Sequence, residues 1–537
     1  MTKRKVCHGM ARRRKGPQVR ETSSGANAAR GDGAATSATA VPNELSVQRQ
    51  KTGVSLWDLF RRVLAQFVIG GCFLLMMLTL YNGWVMWTTS FTPPGHLYAI
   101  QPKQGVSEHP FSLHLHCVGQ NLHFSLDTED GEEEEKKHVQ GDGEESLYPT
   151  VVLDHSIMTM AQEYHALMAL SRLQQRTRVC LYDRAGYGFS EESPLPRTAE
   201  NEAEELRALL QAAGEEGPFI LVGHSRGGLN ALTFAANYGR WYQRNEAANY
   251  HHNNNNNKKG WLEEEVVGVI VMDMLAPNVT IPLHLKKMEG YVGWALKAAP
   301  VFARLGLVRF FQGLSWAYHN IYQWGTSFDG TLLSSTTEDK KEEKEVARKK
   351  ATPSQIALDR LLQEEQKWKK HQTPTYDSAT EVRVVRQAKN SEDELMRPLY
   401  ADEDMGFVGW VQCRPEYWKM VEGEFLAEEK SLRDLEGRIE EHRAKTKNNP
   451  MQHPSQDTTA IPVWDFPLTV ISAGRFPSFM ANFVDEWVLG QRELAALSRR
   501  GTFILALDND HNIPSGHPSL LLDAILEMMN RVANNVR

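Results

Sequence analysis

Past residue 100 the chain alternates short unbroken apolar runs with stretches of helical periodicity. The runs are TVVLD (150–154), RVCLY (178–182), PFILVG (218–223), VVGVIVMD (266–273), PLTVISAG (467–474) and TFILAL (502–507), with earlier strands around LYAI and FSLHLHC. Apolar runs without polar alternation suit strands covered on both faces, as in a parallel sheet. Between them, AENEAEELRALLQAA (199–213) puts Leu206, Leu209 and Leu210 on one helical face, and PSLLLDAILEMMNRV (518–532) behaves similarly behind an initiating proline. The alternation predicts an α/β fold, a mostly parallel sheet covered by helices.

Three inserts interrupt the pattern. TEDGEEEEKKHVQGDGEES (128–146) is acidic and glycine-rich, and RNEAANYHHNNNNNKKG (244–260) is asparagine-rich low complexity, so both read as solvated loops. The third runs from about 275 to 460. Its first part carries Trp294, Phe302, Phe310, Phe311, Trp316, Tyr318, Tyr322 and Trp324 at roughly helical spacing, whereas EDKKEEKEVARKK (338–350) is a charge run expected to be an exposed helix or loop. The aromatic part should fold onto something, and a helical cap inserted between two strands is the simplest placement.

Upstream, the 40 positions from Val63 to Pro102 contain no Asp, Glu, Lys or Arg, and VLAQFVIGGCFLLMMLTLYNGWVMW is apolar all round. That suffices for one membrane span. The run starts some 60 residues in and lacks a small-residue cleavage pattern, so a retained anchor is expected over a cleaved signal peptide. Arg61, Arg62 and the basic head precede it and no cation follows until Lys103, which predicts a cytoplasmic head and a translocated body. Tyr81, Trp84 and Trp87 would mark the far interface. The triplet Asn278-Val279-Thr280 is compatible with a secretory lumen, although an Arg-rich, acid-poor head also suits a mitochondrial membrane.

The boundaries that follow are a disordered basic head (1–56), an anchor (57–87), a first core part (97–274), a cap with charged inserts (275–460) and a second core part (461–537). The net charge of -7 hides ten cations against three acids in residues 1–50, so the remainder sums to -14. An acidic body excludes a nucleic-acid partner. Five cysteines without a CxxC pair are too few and too scattered for a zinc site or a disulfide framework, so the redox compartment stays open and neither metal nor cofactor is expected.

Gly223-His224-Ser225-Arg226-Gly227 is a G-x-S-x-G sequence, with the strand PFILV entering it and the helical run LNALTFAANY leaving it. Strand, sharp turn and helix are what a serine nucleophile needs: the glycines let the chain bend until the hydroxyl is exposed, and the helix N-terminus points free N–H groups at it. HLHCVG, PTVVLD, LYDRAGYGFSEESP, LVGHSRGGLNAL, VGVIVMD, PLTVISAG and DHNIPSGHP occur in that order. In this the chain resembles the α/β-hydrolase superfamily, and specifically its cap-bearing, prolyl-aminopeptidase-like branch, over about 110–240, 265–330 and 465–535. The resemblance implies a doubly wound sheet with a helical cap before the penultimate strand, here behind a single N-terminal transmembrane helix.

The same resemblance implies a chain order of serine, acid and histidine, which puts the general base after the last strand. His511 sits there, in a DHNIP resembling the family's GHNIP, ahead of His517, which looks like the residue leading into the following helix. Most of the superfamily places the acid after the penultimate strand, but AGRFPSF supplies no carboxylate there. Asp273, at the end of VVGVIVMD, resembles the position used by some cap-bearing relatives and is the first candidate. Asp485 follows, then Asp508 and Asp510. For the oxyanion, one N–H should come from Arg226 and the other from the loop after TVVLD, where relatives commonly carry glycine and this chain has His155-Ser156-Ile157. Matching Ser156 to that glycine makes Ile157 the donor, and a glycine required for positive φ would leave serine strained. Asp183 and Arg184 resemble a structural turn, with Arg184 bracing the cap or the oxyanion loop, and the Arg226 side chain is expected at the surface rather than on an anionic substrate.

These residues imply an anchored serine hydrolase cleaving an ester or thioester of an apolar acyl substrate, a small molecule, through a Ser225-His511-Asp273 triad. Acyl transfer, an aminopeptidase of the same fold and a catalytically silent binding module stay open, as does a lipid-binding role for the basic head.

Overall fold

The computed structural model describes residues 55–101, 110–119, 123–124, 146–147, 149–170, 173–215, 217–239, 265–315, 380–386, 404–447, 463–480 and 482–536. The basic head, nearly all of the acidic insert, the asparagine-rich insert, the charge run at 338–350 and the aromatic residues from Trp316 to Trp324 lie outside them.

Helix α1 (Leu56–Thr88) has 33 residues, about 50 Å at 1.5 Å per residue. It is long and apolar enough to cross a membrane, and its apolar window is uncovered by the rest of the protein. It fits the single transmembrane helix expected over 57–87.

The strands are β1 (His96–Ile100), β2 (Phe111–Val118), β3 (His123–Phe124), β4 (Ser146–Leu147), β5 (Thr150–Asp154), β6 (Val179–Tyr182), β7 (Phe219–His224), β8 (Val266–Met272), β9 (Glu381–Val385), β10 (Leu468–Ala473) and β11 (Gly501–Ala506). Nine of them form one sheet in the order β1-β2-β6-β5-β7-β8-β10-β11-β9, while β3 and β4 pair separately. Strand β2 is antiparallel to both neighbours, and every pairing from β6 to β9 is parallel. Strand side chains alternate in direction. Val152, Leu221, Val269 and Val470 therefore face one apolar core, and Val151, Ile220, Ile270 and Ile471 the other. Burying one such side chain contributes about 1.5–3 kcal/mol, so a polar residue in these runs would cost folding on either face.

Around the sheet lie α2 (His165–Ala169), α3 (Ala199–Ala213), α4 (Arg226–Tyr238), α5 (Leu283–Arg304), α6 (Met405–Gln412), α7 (Pro415–Lys447), α8 (Val484–Ala495), α9 (Ile513–Gly516) and α10 (Pro518–Val536). Helices α3, α4 and α8 cover one face, and α2 and α10 the other. The caps of α3 are legible in sequence: the Thr198 hydroxyl accepts from Asn201 N, and Gly214 ends the helix at φ 70°. Helices α5, α6 and α7 come from the long insert. Helix α7 runs along α5 and packs on α4 and α3, which makes the insert a cap over the sheet.

Two findings depart from the sequence expectations. The insert also supplies β9, which pairs in parallel with β11 at the sheet edge, so the insert is not purely helical. Cys117 and Cys180 form a disulfide between residues directly opposite each other on β2 and β6. Scatter along the chain concealed that partnership, because antiparallel pairing brings together positions 63 residues apart.

Candidate active site

Strand β7 ends at His224 and α4 begins at Arg226, leaving Ser225 alone at the bend with φ 52° and ψ -115°. A non-glycine residue there is strained and persists only where its surroundings hold it. The Ser225 N–H donates to the Met272 carbonyl at 2.8 Å, and its own carbonyl accepts from Gly228 N at 2.9 Å. The flanking glycines are steric necessities. A Cβ on Gly223 would stand 2.2 Å from the Gly227 carbonyl oxygen, and one on Gly227 would stand 2.3 Å from that of Asp154. The N–H groups of Arg226 and Gly227, the first of α4, lack intrahelical acceptors, as at any helix start.

His511 follows β11, and its Nδ1 lies 2.8 Å from Asp273 Oδ2. Asp273 is buried at the end of β8 with φ 45°. Its other oxygen accepts from Trp487 Nε1 at 2.9 Å and from Ala473 N at 3.0 Å. Burial alone would raise the Asp273 pKa, but the hydrogen bond and charge of His511, with Trp487 and Ala473, outweigh it and hold the carboxyl below its usual range. At His511 desolvation opposes the imidazolium, and Asp273 overcomes it, so the pKa is raised. The His511 side chain is 48% exposed, which leaves its far edge open to a reactant. Asp485 instead sits exposed on the first turn of α8. Asp508 and Asp510 are also exposed, with Asp510 accepting from Asn512 N. His517 packs beside α10 with Nδ1 2.9 Å from Asn509 Oδ1.

His224 links the turn at Ser225 to His511. Its Nε2–H donates to the His511 carbonyl at 2.7 Å, and the two rings stand 4.8 Å apart. Among the described residues no hydrogen bond joins the Ser225 hydroxyl to His511; the two are held to one another through His224. On the other side of that ring, Nδ1 lies 3.3 Å from Oε2 of buried Glu163, whose Oε1 accepts from Ser156 N at 3.0 Å. Glu163 thus ties the loop after β5 to the turn after β7. Burial would raise its pKa, and the charge and hydrogen bond of His224 hold it low instead. Neither residue was singled out from sequence, although a glutamate inside the apolar stretch MAQEYHAL was a signal.

In the loop after β5 the strain falls one residue beyond the predicted donor. Met158, not Ser156, has positive φ, at 63°. The strain expected at Ser156 is therefore absent, and the left-handed residue of this loop stands two positions later. The Ser156 carbonyl accepts from Thr159 Oγ1 at 3.0 Å, His155 Nδ1 at 2.8 Å and Arg184 Nη2 at 3.0 Å. With its carbonyl and N–H both engaged inward, Ser156 fixes the peptide that carries the Ile157 N–H. Burial, then Arg184, push the His155 pKa down, keeping that ring neutral.

Arg184 braces both elements considered for it. Nη1 donates to Asp154 Oδ1 at 2.6 Å, and Nε and Nη2 reach Glu424 of α7 at 2.9 and 3.0 Å. The Arg226 side chain corrects the surface expectation. It is 1% exposed and pairs with Glu202 at 3.2 Å and with Glu428 of α7 at 2.8 Å. Glu424 and Glu428 are one helical turn apart, so one face of α7 carries two carboxylates into the protein, each meeting a buried arginine. Burial disfavours both charged forms at Glu424 and Glu202. Arg184 outweighs it at Glu424 and holds that pKa low, whereas burial prevails at Glu202 and pushes it up.

A mostly parallel sheet with a strained serine between strand and helix, a histidine–aspartate pair after later strands and a cap between them defines a hydrolase-type fold. The chain belongs to the alpha/beta hydrolase family, whose model matches residues 151–422. That span holds Ser225 and Asp273 and ends before His511. An uncharacterized vacuolar membrane protein of Saccharomyces cerevisiae is 36% identical over 127 residues, 24% of this chain and 18% of that protein. The uncharacterized protein YbdG of Bacillus subtilis is 33% identical over 78 residues, 14% of this chain and 24% of its own length. The chain thus spans 18–24% of the length of these relatives. Among solved structures, a thermophilic esterase from Thermogutta terrifontis is 14% identical with a TM-score of 0.39, covering 81% of this chain and 99% of that one. A putative epoxide hydrolase from Pseudomonas aeruginosa is 11% identical with a TM-score of 0.40, over 84% and 100%.

Proposed function

We propose that this protein is a membrane-anchored serine hydrolase that cleaves an ester or thioester of an apolar acyl substrate. The observation that carries this is the Asp273–His511 hydrogen bond of 2.8 Å standing beside a serine held at φ 52°. Ser225 Oγ attacks the acyl carbonyl while His511 Nε2 takes its proton, the contact tightening once substrate is bound. Asp273 holds the imidazole by Nδ1 and stabilises the imidazolium. The N–H groups of Arg226 and Ile157 receive the developing oxyanion. The imidazolium returns the proton to the leaving oxygen or sulfur, giving an acyl-enzyme. Water, deprotonated by the same histidine, then releases the acid and frees Ser225. Serine in place of an aspartate nucleophile favours this over haloalkane or epoxide chemistry.

The anchor reading puts the head in the cytoplasm and the catalytic body in a lumen or outside, with a mitochondrial membrane as the alternative. The Cys117–Cys180 disulfide supports an oxidising side, and the yeast relative's description as a vacuolar membrane protein is in keeping with a membrane residence. Full-length protein treated with a fluorophosphonate should carry the adduct on Ser225, and Ser225→Ala should lose labelling together with roughly 10⁶-fold of ester turnover. Folded protein that takes no adduct would replace this reading with a silent binding module.

A further inference from the structure

Helix α1 does not leave the catalytic body where its apolar stretch ends. Asn82 is buried, and its Nδ2 donates to the Ala303 carbonyl at 3.1 Å while its Oδ1 accepts from Arg309 Nε at 3.0 Å. Arg309 Nη2 also reaches Met86 Sδ at 3.5 Å. Gly306 comes close enough that a Cβ there would stand 2.5 Å from the Leu78 carbonyl oxygen. One wall of the cap is therefore fixed to the turns of α1 that carry Tyr81, Trp84 and Trp87, the residue types that seek a membrane interface.

From that wall an exposed apolar face extends along the cap. On α5, Met288, Tyr291, Trp294, Val301 and Phe302 are exposed on one side, with Tyr291 at 77% and Trp294 at 72%, while Gly293, Leu296 and Ala303 are buried on the other. The 3, 7, 10 and 11 residue spacings from Tyr291 to Trp294, from Trp294 to Val301, and from Tyr291 to Val301 and Phe302 make this a single helical stripe. Past the α1 contact, Phe310 and Phe311 are exposed as well. Lys286 and Lys297 lie along one edge of the stripe and Lys287 at its N-terminal end, where their stems can lie along it and their ammonium groups reach headgroup phosphates.

We propose that this face of the cap, from Met288 to Phe311, lies in the lipid interface beside α1, with its aromatic side chains sunk about 5–10 Å into the headgroup–acyl boundary. The occupant is a phospholipid surface because the face is joined rigidly to the interfacial turns of the membrane helix and so shares their depth. The proposal rests on the reading of α1 as membrane-spanning, not on the hydrolase reading. Its consequence for the site is direct: Leu296 of α5 belongs to the apolar cluster against which Ile157 packs. The lipid-facing helix and the loop after β5 are thus parts of one packed body.

The test uses the full chain in phosphatidylcholine vesicles, with nitroxides on single cysteines and collisions measured with oxygen and with a water-soluble nickel chelate. Cys7→Ser and Cys413→Ser leave Cys72, inside α1, as the reporter of the anchor. Adding Cys72→Ser and Tyr291→Cys, Trp294→Cys or Phe311→Cys reports the cap, and Val384→Cys on β9, at the sheet edge opposite β1, reports water. The expected result is oxygen-dominated collision at 72, 291, 294 and 311, inverted relative to the chelate-dominated ratio at 384. Chelate-dominated collision at the three cap positions with lipid exposure at 72 overturns the proposal alone, and so does shielding from both reagents, which would mean a protein contact. Chelate-dominated collision at 72 overturns the anchor and the docking together, leaving the fluorophosphonate result on Ser225 untouched.

Discussion

Glu424 on α7 accepts both Nε and Nη2 of Arg184, at 2.9 and 3.0 Å, and the same guanidinium donates to the carbonyls of His155 and Ser156 at 2.5 and 3.0 Å. The cap is thereby connected to the loop that carries the proposed oxyanion donor. All the partners are buried, so removing one leaves an uncompensated charge. Glu424→Ala should cost about 3–5 kcal/mol of stability, and Glu424→Gln, which keeps part of the hydrogen bonding, should cost less. Calorimetry of both variants checks this, and an unshifted melting temperature for Glu424→Ala would remove the bracing role.

Much of the fold was legible because it is written locally. The runs at 150–154 and 178–182 became β5 and β6 within one residue, and 199–213 became α3. The strained serine was legible for the same reason, since strand, glycines and helix are contiguous. What the sequence hid is non-local. Glu424 lies 240 residues from Arg184, and nothing in its local sequence marks it for burial before α7 turns one face inward. The β9 run EVRVV sits among polar residues, and its partner β11 lies more than a hundred residues away. The burial of Arg226 could not be read because its counter-charges, Glu202 and Glu428, come from two different helices.

Asp273 is distinguished from Asp485 by its partner. An Asp273→Asn variant keeps the shape but loses the charge and the correct tautomer, and kcat should fall about 10⁴-fold. Asp485→Asn, at an exposed helix start, should stay within about twofold. Steady-state turnover of one ester by both variants decides between them, and the reverse order would move the acid to α8.

The Cys117–Cys180 bond closes a loop of 63 residues. By the loop-entropy relation such a closure is worth about 4 kcal/mol. Reductant, or Cys180→Ser, should therefore lower the melting temperature of the full chain in detergent. An identical melting curve with and without reductant would show that the bond contributes nothing.

Asn278 stands exposed in the turn after β8, at the head of an N-x-T triplet. If the body is translocated into the secretory lumen, protein from a eukaryotic host should run larger than its glycosidase-treated form, and Asn278→Gln should abolish the difference. An unmodified Asn278 alongside a carbohydrate-free body would favour the mitochondrial alternative.

The histidine–aspartate pair sets opposite pH demands on activity and stability. As a base, His511 must be neutral, and its pKa is raised above the usual 6.5, so kcat/KM should climb with pH through a value above 6.5. Asp273→Asn removes the largest of the charges that raise it, leaving only Glu163 and Asp510 against desolvation, so that limb should move to lower pH. Stability follows the charged pair instead. Asp273, held below its usual 3.8, stabilises the fold above that pH, and this contribution is lost as pH falls through the folded value. His511, raised, stabilises fully below 6.5, and this contribution is lost as pH rises through its folded value. Between about 3.8 and 6.5 both contributions are present, while the base is largely protonated. Raising the pH from 6 should thus increase turnover while removing the stability that this pair supplies, and Asp273→Asn should flatten that loss. Parallel pH series of kcat/KM and of melting temperature for the wild type and Asp273→Asn measure both slopes, and a wild-type activity limb below 6.5 would contradict His511 as the base.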